Sequence, residues 1–138
     1  MKKSILFLCL ICCVFSVYPA NRSVIVGAER TGEYYRALTG KRVAVFSNHT
    51  GMVGDRHLVD MLVADGIDVV TIFSPEHGFR GDADAGEHVA GSVDPQTGIT
   101  ISSLFDGKSG RPSDESMPSF DVLLVDIQDV GLRYYTYY

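Results

Sequence analysis

DVVTIFSPEHGFRGDADAGEHVAG, residues 68–91, joins a short, largely apolar stretch to a glycine-rich stretch crowded with ionisable groups. Asp68–Phe73 is β-branched and aromatic without polar alternation, the pattern of a strand buried on both faces. At Pro75 the ring fixes φ and removes a donor, so the strand ends there. Glu76, His77, Arg80, Glu87 and His88 follow at once, with Asp82 and Asp84 between them. The choice is between a solvated loop and the working edge of an enzyme.

The same strand pattern recurs on either side. Lys41–Ser47 (KRVAVFS), Gly98–Phe105 (GITISSLF) and Asp121–Ile127 (DVLLVDI) are short runs rich in Val, Ile, Leu and Phe. Between them lie segments of helical spacing. Gly32–Gly40 stops on a glycine, and Arg56–Gly66 sets Leu58, Met61 and Leu62 on one side with Asp55 as the expected N-cap. On this reading His57 sits on the helix surface, Asn48–Asp55 (NHTGMVGD) is a loop, and PSDESMPSF (112–120) holds at most a short helix. Alternating strands and helices predict an α/β domain with a mostly parallel sheet and flanking helices.

In such sheets ligands bind outside the carboxyl ends of the strands. Those ends carry NHTG (48–51), SPEHGFRG (74–81) and DIQDVG (126–131), where the polar groups concentrate. Asn48 and His49 are expected to contact a ligand. Arg80 is expected to hold a carboxylate, either a neighbour's or a substrate's. Glu76 has little reason to stabilise the fold between a strand end and a glycine. Asp126 and Asp129 end the last strand, and a carboxylate pair facing one cleft is what glycoside hydrolysis requires. The alternative for Asp126 is capping or binding a loop amide.

Residues 1–20, MKKSILFLCLICCVFSVYPA, have the layout of a secretory signal peptide: two lysines, an apolar run from Ile5 to Phe15, then small and turn-forming residues. The run is short of the roughly 20 residues that span a bilayer; an uncleaved anchor is the alternative. Cutting after Ala20 places bulky Tyr18 near the bond, whereas cutting after Ser16 gives the better Val14/Ser16 pair. All three cysteines, Cys9, Cys12 and Cys13, fall in this leader. The remainder, 21–138, therefore has neither disulfide nor thiol nucleophile. It carries ten basic against seventeen acidic residues without a basic run, which disfavours nucleic acid and anionic membranes.

Other chemistries fit less well. There is no G-x-G-x-x-G, Walker loop or G-x-S-x-G elbow. Four histidines with Asp82, Asp84 and Glu87 can supply metal ligands. DADAGE, however, lacks the alternation and terminal glutamate of a calcium loop, and no H-E-x-x-H occurs. No metal or other cofactor is expected. The tyrosines at 134, 135, 137 and 138 suit sugar stacking, although core packing is their commoner use.

SNHTG, FSPEHGFRGDADAGEHV, DPQTGI and LLVDIQDVGLRYYTYY together resemble the exo-β-N-acetylmuramidase (NamZ-type) family, formerly a domain of unknown function. VIVGAER and LTGKRVAVFSNHTG match its opening, so the resemblance runs from about Val24 to Tyr138. It implies a Rossmann-like α/β domain followed by a second α/β domain, with the active site in the cleft between them. It also implies an exported glycosidase, periplasmic or extracellular, that releases N-acetylmuramic acid from the non-reducing end of peptidoglycan fragments such as MurNAc-GlcNAc and other muropeptides.

The family's proposed catalytic glutamate maps to Glu76. His77, Asn48, Arg80, Glu87, Asp126, Gln128 and Asp129 fall in the implied pocket, beside His49. The substrate's lactyl carboxylate needs a cation, for which Arg80 is the local choice. Family members are longer, so 21–138 is expected to be an incomplete N-terminal domain, inactive without the C-terminal domain that completes the cleft. Two alternatives stand: a non-catalytic muropeptide- or sugar-binding module, which binds without turnover, and a metal-dependent hydrolase domain, which chelation inactivates.

Overall fold

The computed structural model describes residues 24–75, 78–81, 92–104 and 117–128. The expected leader, the acidic DADAGE run and the C-terminal tyrosines lie outside them. After a 3-10 turn at Gly27–Glu29, the chain forms α1 (Thr31–Leu38), β1 (Arg42–Ser47), β2 (Met52–Val53), β3 (Arg56–His57), α2 (Leu58–Ala64), β4 (Asp68–Ser74), β5 (Ser92–Val93), β6 (Thr100–Ser103) and β7 (Val122–Asp126).

Five strands form one sheet in the order β5-β6-β4-β1-β7. β6, β4, β1 and β7 run parallel, and β5 adds an antiparallel edge. Numbered along the chain, the parallel strands lie 3-2-1-4, half of a doubly wound order, which bears out the Rossmann-like α/β expectation. The order reverses between β1 and β7, and the crevice beyond the carboxyl ends of those two strands is the topological switch point.

Side chains alternate along a strand, so Val43 and Val45 of β1 share a face with Val122 and Leu124 of β7. Ile72 of β4 and Ile101 of β6 continue that face across the sheet. Leu38 of α1 and Leu58, Val59 and Leu62 of α2 pack against it, and together they make the main core. Each fully buried aliphatic of this kind contributes about 1.5–3 kcal/mol. On the opposite face Ala44, Thr71 and Phe73 are buried, and Phe73 meets Phe120 edge-on at 6.0 Å. β1 and β4 are thus covered on both sides, as their sequences predict. β7 is not: Leu123 and Val125 are 47% and 54% exposed.

Two expectations need correcting near α2. The stretch 48–55 is not all loop, because Met52–Val53 pairs with Arg56–His57 in a small hairpin. The hairpin takes up Arg56 and His57, so the helix begins at Leu58 and its N-cap is His57 instead of Asp55. His57 is accordingly buried, with 4% exposure, and not on the surface. At the other end Gly66 N donates to Val63 O and Ile67 N to Leu62 O. That is a Schellman closure, in which buried Ile67 follows the glycine.

Candidate functional site

The rim of the switch point is built from the turn that leaves β1. Asn48 is buried, and its Oδ1 accepts from Thr50 N at 3.0 Å and Thr50 Oγ1 at 2.7 Å. Such side-chain bonds to the backbone two residues on are what make Asn a turn former. The Asn48 carbonyl accepts from Gly51 N at 3.0 Å. The Asn48 side-chain oxygen is thus engaged in shaping its own loop.

His57 locks this turn to its neighbours. Its Nε2 donates to the Asn48 carbonyl at 2.8 Å, while Nδ1 accepts from Val59 N at 3.2 Å. One nitrogen must donate and the other accept, so the hydrogen-bond network assigns the neutral Nε2–H tautomer. Burial lowers the pKa, only partly countered by the Asn48 carbonyl. The ring meets Phe79 edge-on at 4.5 Å, tying the loop after β4 to the start of α2.

Gly51 and Gly81 mark close approaches. A Cβ on Gly51 would collide with Ser47 Oγ and stand 3.2 Å from Asp126 Oδ2. Gly81 has φ +77°, and a Cβ there would stand 3.1 Å from His49 Cβ. His49 therefore lies against the loop after β4, so the sequence-distant NHTG and GFRG segments meet.

Arg80 answers the question of which carboxylate it holds. Nη1 and Nη2 donate to Asp60 at 2.9 and 2.7 Å, and Nε and Nη2 donate to Asp94 at 3.0 and 2.9 Å. Four of five guanidinium N–H groups are spent on two acids of the chain itself, and their hydrogen bonds raise the Arg80 pKa. The charge expected to meet a substrate carboxylate is already matched.

Asp94 is 0% exposed and also accepts from Thr97 N and Oγ1 at 3.0 and 2.6 Å. Burial alone would push its carboxyl up, but Arg80 and Thr97 outweigh that and hold it below the usual carboxylate range. The sequence reading missed Asp60, Asp94 and the buried role of His57. Asp-Pro-x-Thr-Gly at 94–98 is a turn signature that pointed to Asp94; nothing in LVDML distinguishes Asp60. An open pocket of about 460 Å³ lies beside this ion cluster, bounded by Arg56, Asp60, Arg80 and Gln96 among others.

Asp126 ends β7 in register with Ser47 of β1. It is half-buried, and burial raises its pKa, with His57 opposing. Among the described residues no donor reaches it. Gln128 is exposed just beyond. Glu76, His77, Glu87 and Asp129 lie outside the described residues. Among those described, the structure therefore brings Asn48, His49, Arg80 and Asp126 to one end of the sheet. No cluster of three or more metal-ligating side chains occurs among the described residues.

Residues 43–138 match the family model described as exo-β-N-acetylmuramidase NamZ, N-terminal. The chain is 41% identical over 107 residues to the peptidoglycan β-N-acetylmuramidase NamZ of Bacillus subtilis strain 168, covering 76% of this chain and 26% of that protein. Two DUF1343 family crystal structures from Bacteroides fragilis NCTC 9343 share the fold. One has TM-score 0.67 and 53% identity over 82% of this chain and 28% of its own. The other has TM-score 0.64 and 37% identity over 78% and 26%. The chain thus spans about a quarter of the length of these relatives.

Proposed function

The chain belongs to the exo-β-N-acetylmuramidase NamZ N-terminal family, and from that premise we propose that it forms part of an exported enzyme releasing N-acetylmuramic acid from the non-reducing end of peptidoglycan fragments. The observation that carries this reading is the polar rim at the carboxyl ends of β1, β4 and β7, on a chain homologous to a peptidoglycan glycosidase. Asp126 and the NHTG turn stand at the switch point, where doubly wound sheets take their ligands. The signal-like residues 1–20 support export.

Glu76 acts in the chemistry, with Asn48, His49, His77, Glu87, Asp126, Gln128 and Asp129 in the sugar pocket. Of its two expected parts, Arg80 takes that of holding carboxylates of its own chain. It clamps the GFRG segment to α2 and to the β5–β6 turn, and so holds the stretch of chain just beyond Glu76. The second domain implied by the family supplies the opposite wall of the cleft.

Release of N-acetylmuramic acid from a chromogenic muramide and from MurNAc-GlcNAc by the complete gene product tests the reading. Glu76→Gln is expected to lower the rate by at least about 10²-fold. Full activity in that variant removes Glu76 from the chemistry. Saturable binding of muramyl sugars without turnover makes the protein a binding module, and loss of turnover on chelation makes it a metal-dependent hydrolase.

A further inference from the structure

We propose that Asp126 is the proton donor of this site, the acid that protonates the glycosidic oxygen as its bond to the anomeric carbon breaks. The inference rests on the glycosidase reading and divides the labour within it. Asp126 supplies the proton, which leaves Glu76 to act as nucleophile or base.

Position is the first argument. Asp126 is the last residue of β7 and pairs in register with Ser47, the last of β1. These two strands flank the reversal of strand order, so the carboxyl stands where the crevice opens. Gly51 forms the adjoining wall, and its missing side chain admits the Asp126 carboxylate: a Cβ there would lie 3.2 Å from Oδ2.

Environment is the second. Among the described residues, the titratable groups whose charge is felt at Asp126 are His57 at the start of α2 and Tyr34 of α1. Burial disfavours a charged His57, and its Nδ1 accepts from Val59 N, so the neutral ring brings no fixed positive charge. Arg80, a strong cation of the same rim, has its charge matched by Asp60 and Asp94. Half-burial then favours the protonated carboxyl. Asp94 is the contrast, since it is fully buried yet held ionised by Arg80. Two acids whose surroundings push them in opposite directions are given different tasks. Among the described residues no donor or cation meets Asp126, so none of them gives its carboxyl a structural part.

The step balances. The Asp126 proton passes to the leaving oxygen, which keeps the electron pair of the broken C–O bond. Water supplies a hydroxyl to the anomeric carbon, and its remaining proton returns to the carboxylate pair.

The complete gene product and its Asp126→Asn variant are compared on two substrates. MurNAc-GlcNAc has a leaving group that needs protonation, whereas a p-nitrophenyl muramide does not. The expected result is a loss of about 10²–10⁴-fold on the disaccharide and a far smaller loss on the aryl glycoside. Equal losses on both, unchanged rates, or a variant that fails to fold overturn the assignment. The wild-type pH profile is an independent check. Activity must fall on the alkaline side as one carboxyl loses its proton, and Asp126→Asn must remove that limb from its residual aryl glycosidase activity. A flat alkaline side overturns the proposal. A wild-type protein inactive on both substrates ends the glycosidase reading and this inference with it.

Discussion

Arg80 grips Asp60 through two parallel hydrogen bonds, Nη1 to Oδ2 at 2.9 Å and Nη2 to Oδ1 at 2.7 Å, and turns its other edge to Asp94. Three segments meet in that fork: α2, the loop after β4 and the β5–β6 turn. Bidentate guanidinium–carboxylate pairs are both strong and directional. The cluster therefore fixes an orientation as well as contributing energy.

Replacing Arg80 by Met keeps much of the apolar stem but leaves Asp94 buried without its cation. Removing one partner of a buried pair costs about 3–5 kcal/mol, and the partial exposure of Arg80 and Asp60 places this case near about 3. Urea unfolding of Arg80→Met against wild type measures it. Arg80→Lys is expected to recover only part, since an ammonium cannot reproduce the fork. Equal stability of all three proteins would show that the cluster holds nothing together.

The same pair sets an acid limit. The folded Asp94 carboxyl lies below its ordinary value of 3.8, so the stability it contributes is fully present above about pH 4. That contribution is lost as pH falls through the lower folded value. Melting temperatures between pH 5 and 2.5 are expected to drop in wild type, and Asp94→Asn is expected to flatten that part of the curve from a lower starting stability.

His57 gives a second window, at higher pH. Its folded pKa is lowered from 6.5 by burial, so the unfolded chain takes up a proton before the folded one does. Stability is complete above about pH 6.5 and declines as pH falls from there through the folded value. His57→Gln is expected to lose about 1–2 kcal/mol through the cap and the Asn48 bond. It is also expected to lose the pH dependence between 7 and 5. Following the His57 ring resonances by NMR checks the sign directly, since a midpoint above 6.5 contradicts the burial argument.

Gly51→Ala tests the packing under the site. The new methyl meets Ser47 Oγ, a short buried side chain with little room to move. Overpacking of this kind costs about 1–3 kcal/mol. Ser47→Ala removes the atom in the way, so Ser47→Ala/Gly51→Ala is expected to regain most of the loss. A double variant no more stable than Gly51→Ala would place the conflict elsewhere, for instance at the Asn48 carbonyl 3.3 Å away.

Much of the fold was legible because it is periodic. The apolar runs at 41–47, 68–73 and 121–127 became β1, β4 and β7, shifted by a residue or so at their ends. The hairpin at 52–57 was not legible: four paired residues are too few to show alternation, and Asp55 is a plausible cap in sequence. β5 escaped for the same reason. Arg80 was legible as a carboxylate holder but not as holding two of the chain's own, because its partners stand 20 and 14 residues away.

From the sequence alone came the parallel α/β class, the strand ends and the crowding of polar residues beyond them, because burial in a sheet imposes continuous apolar runs that anyone can count. Only the tertiary structure decided what each polar group does there. Arg80 turns inward to Asp60 and Asp94, and His57 is buried as a neutral cap. Asn48 shapes its own turn, while Asp126 is left without a cation among the described residues. Those assignments depend on which charges and donors meet across the fold and how much water reaches them, and neither quantity repeats along a chain.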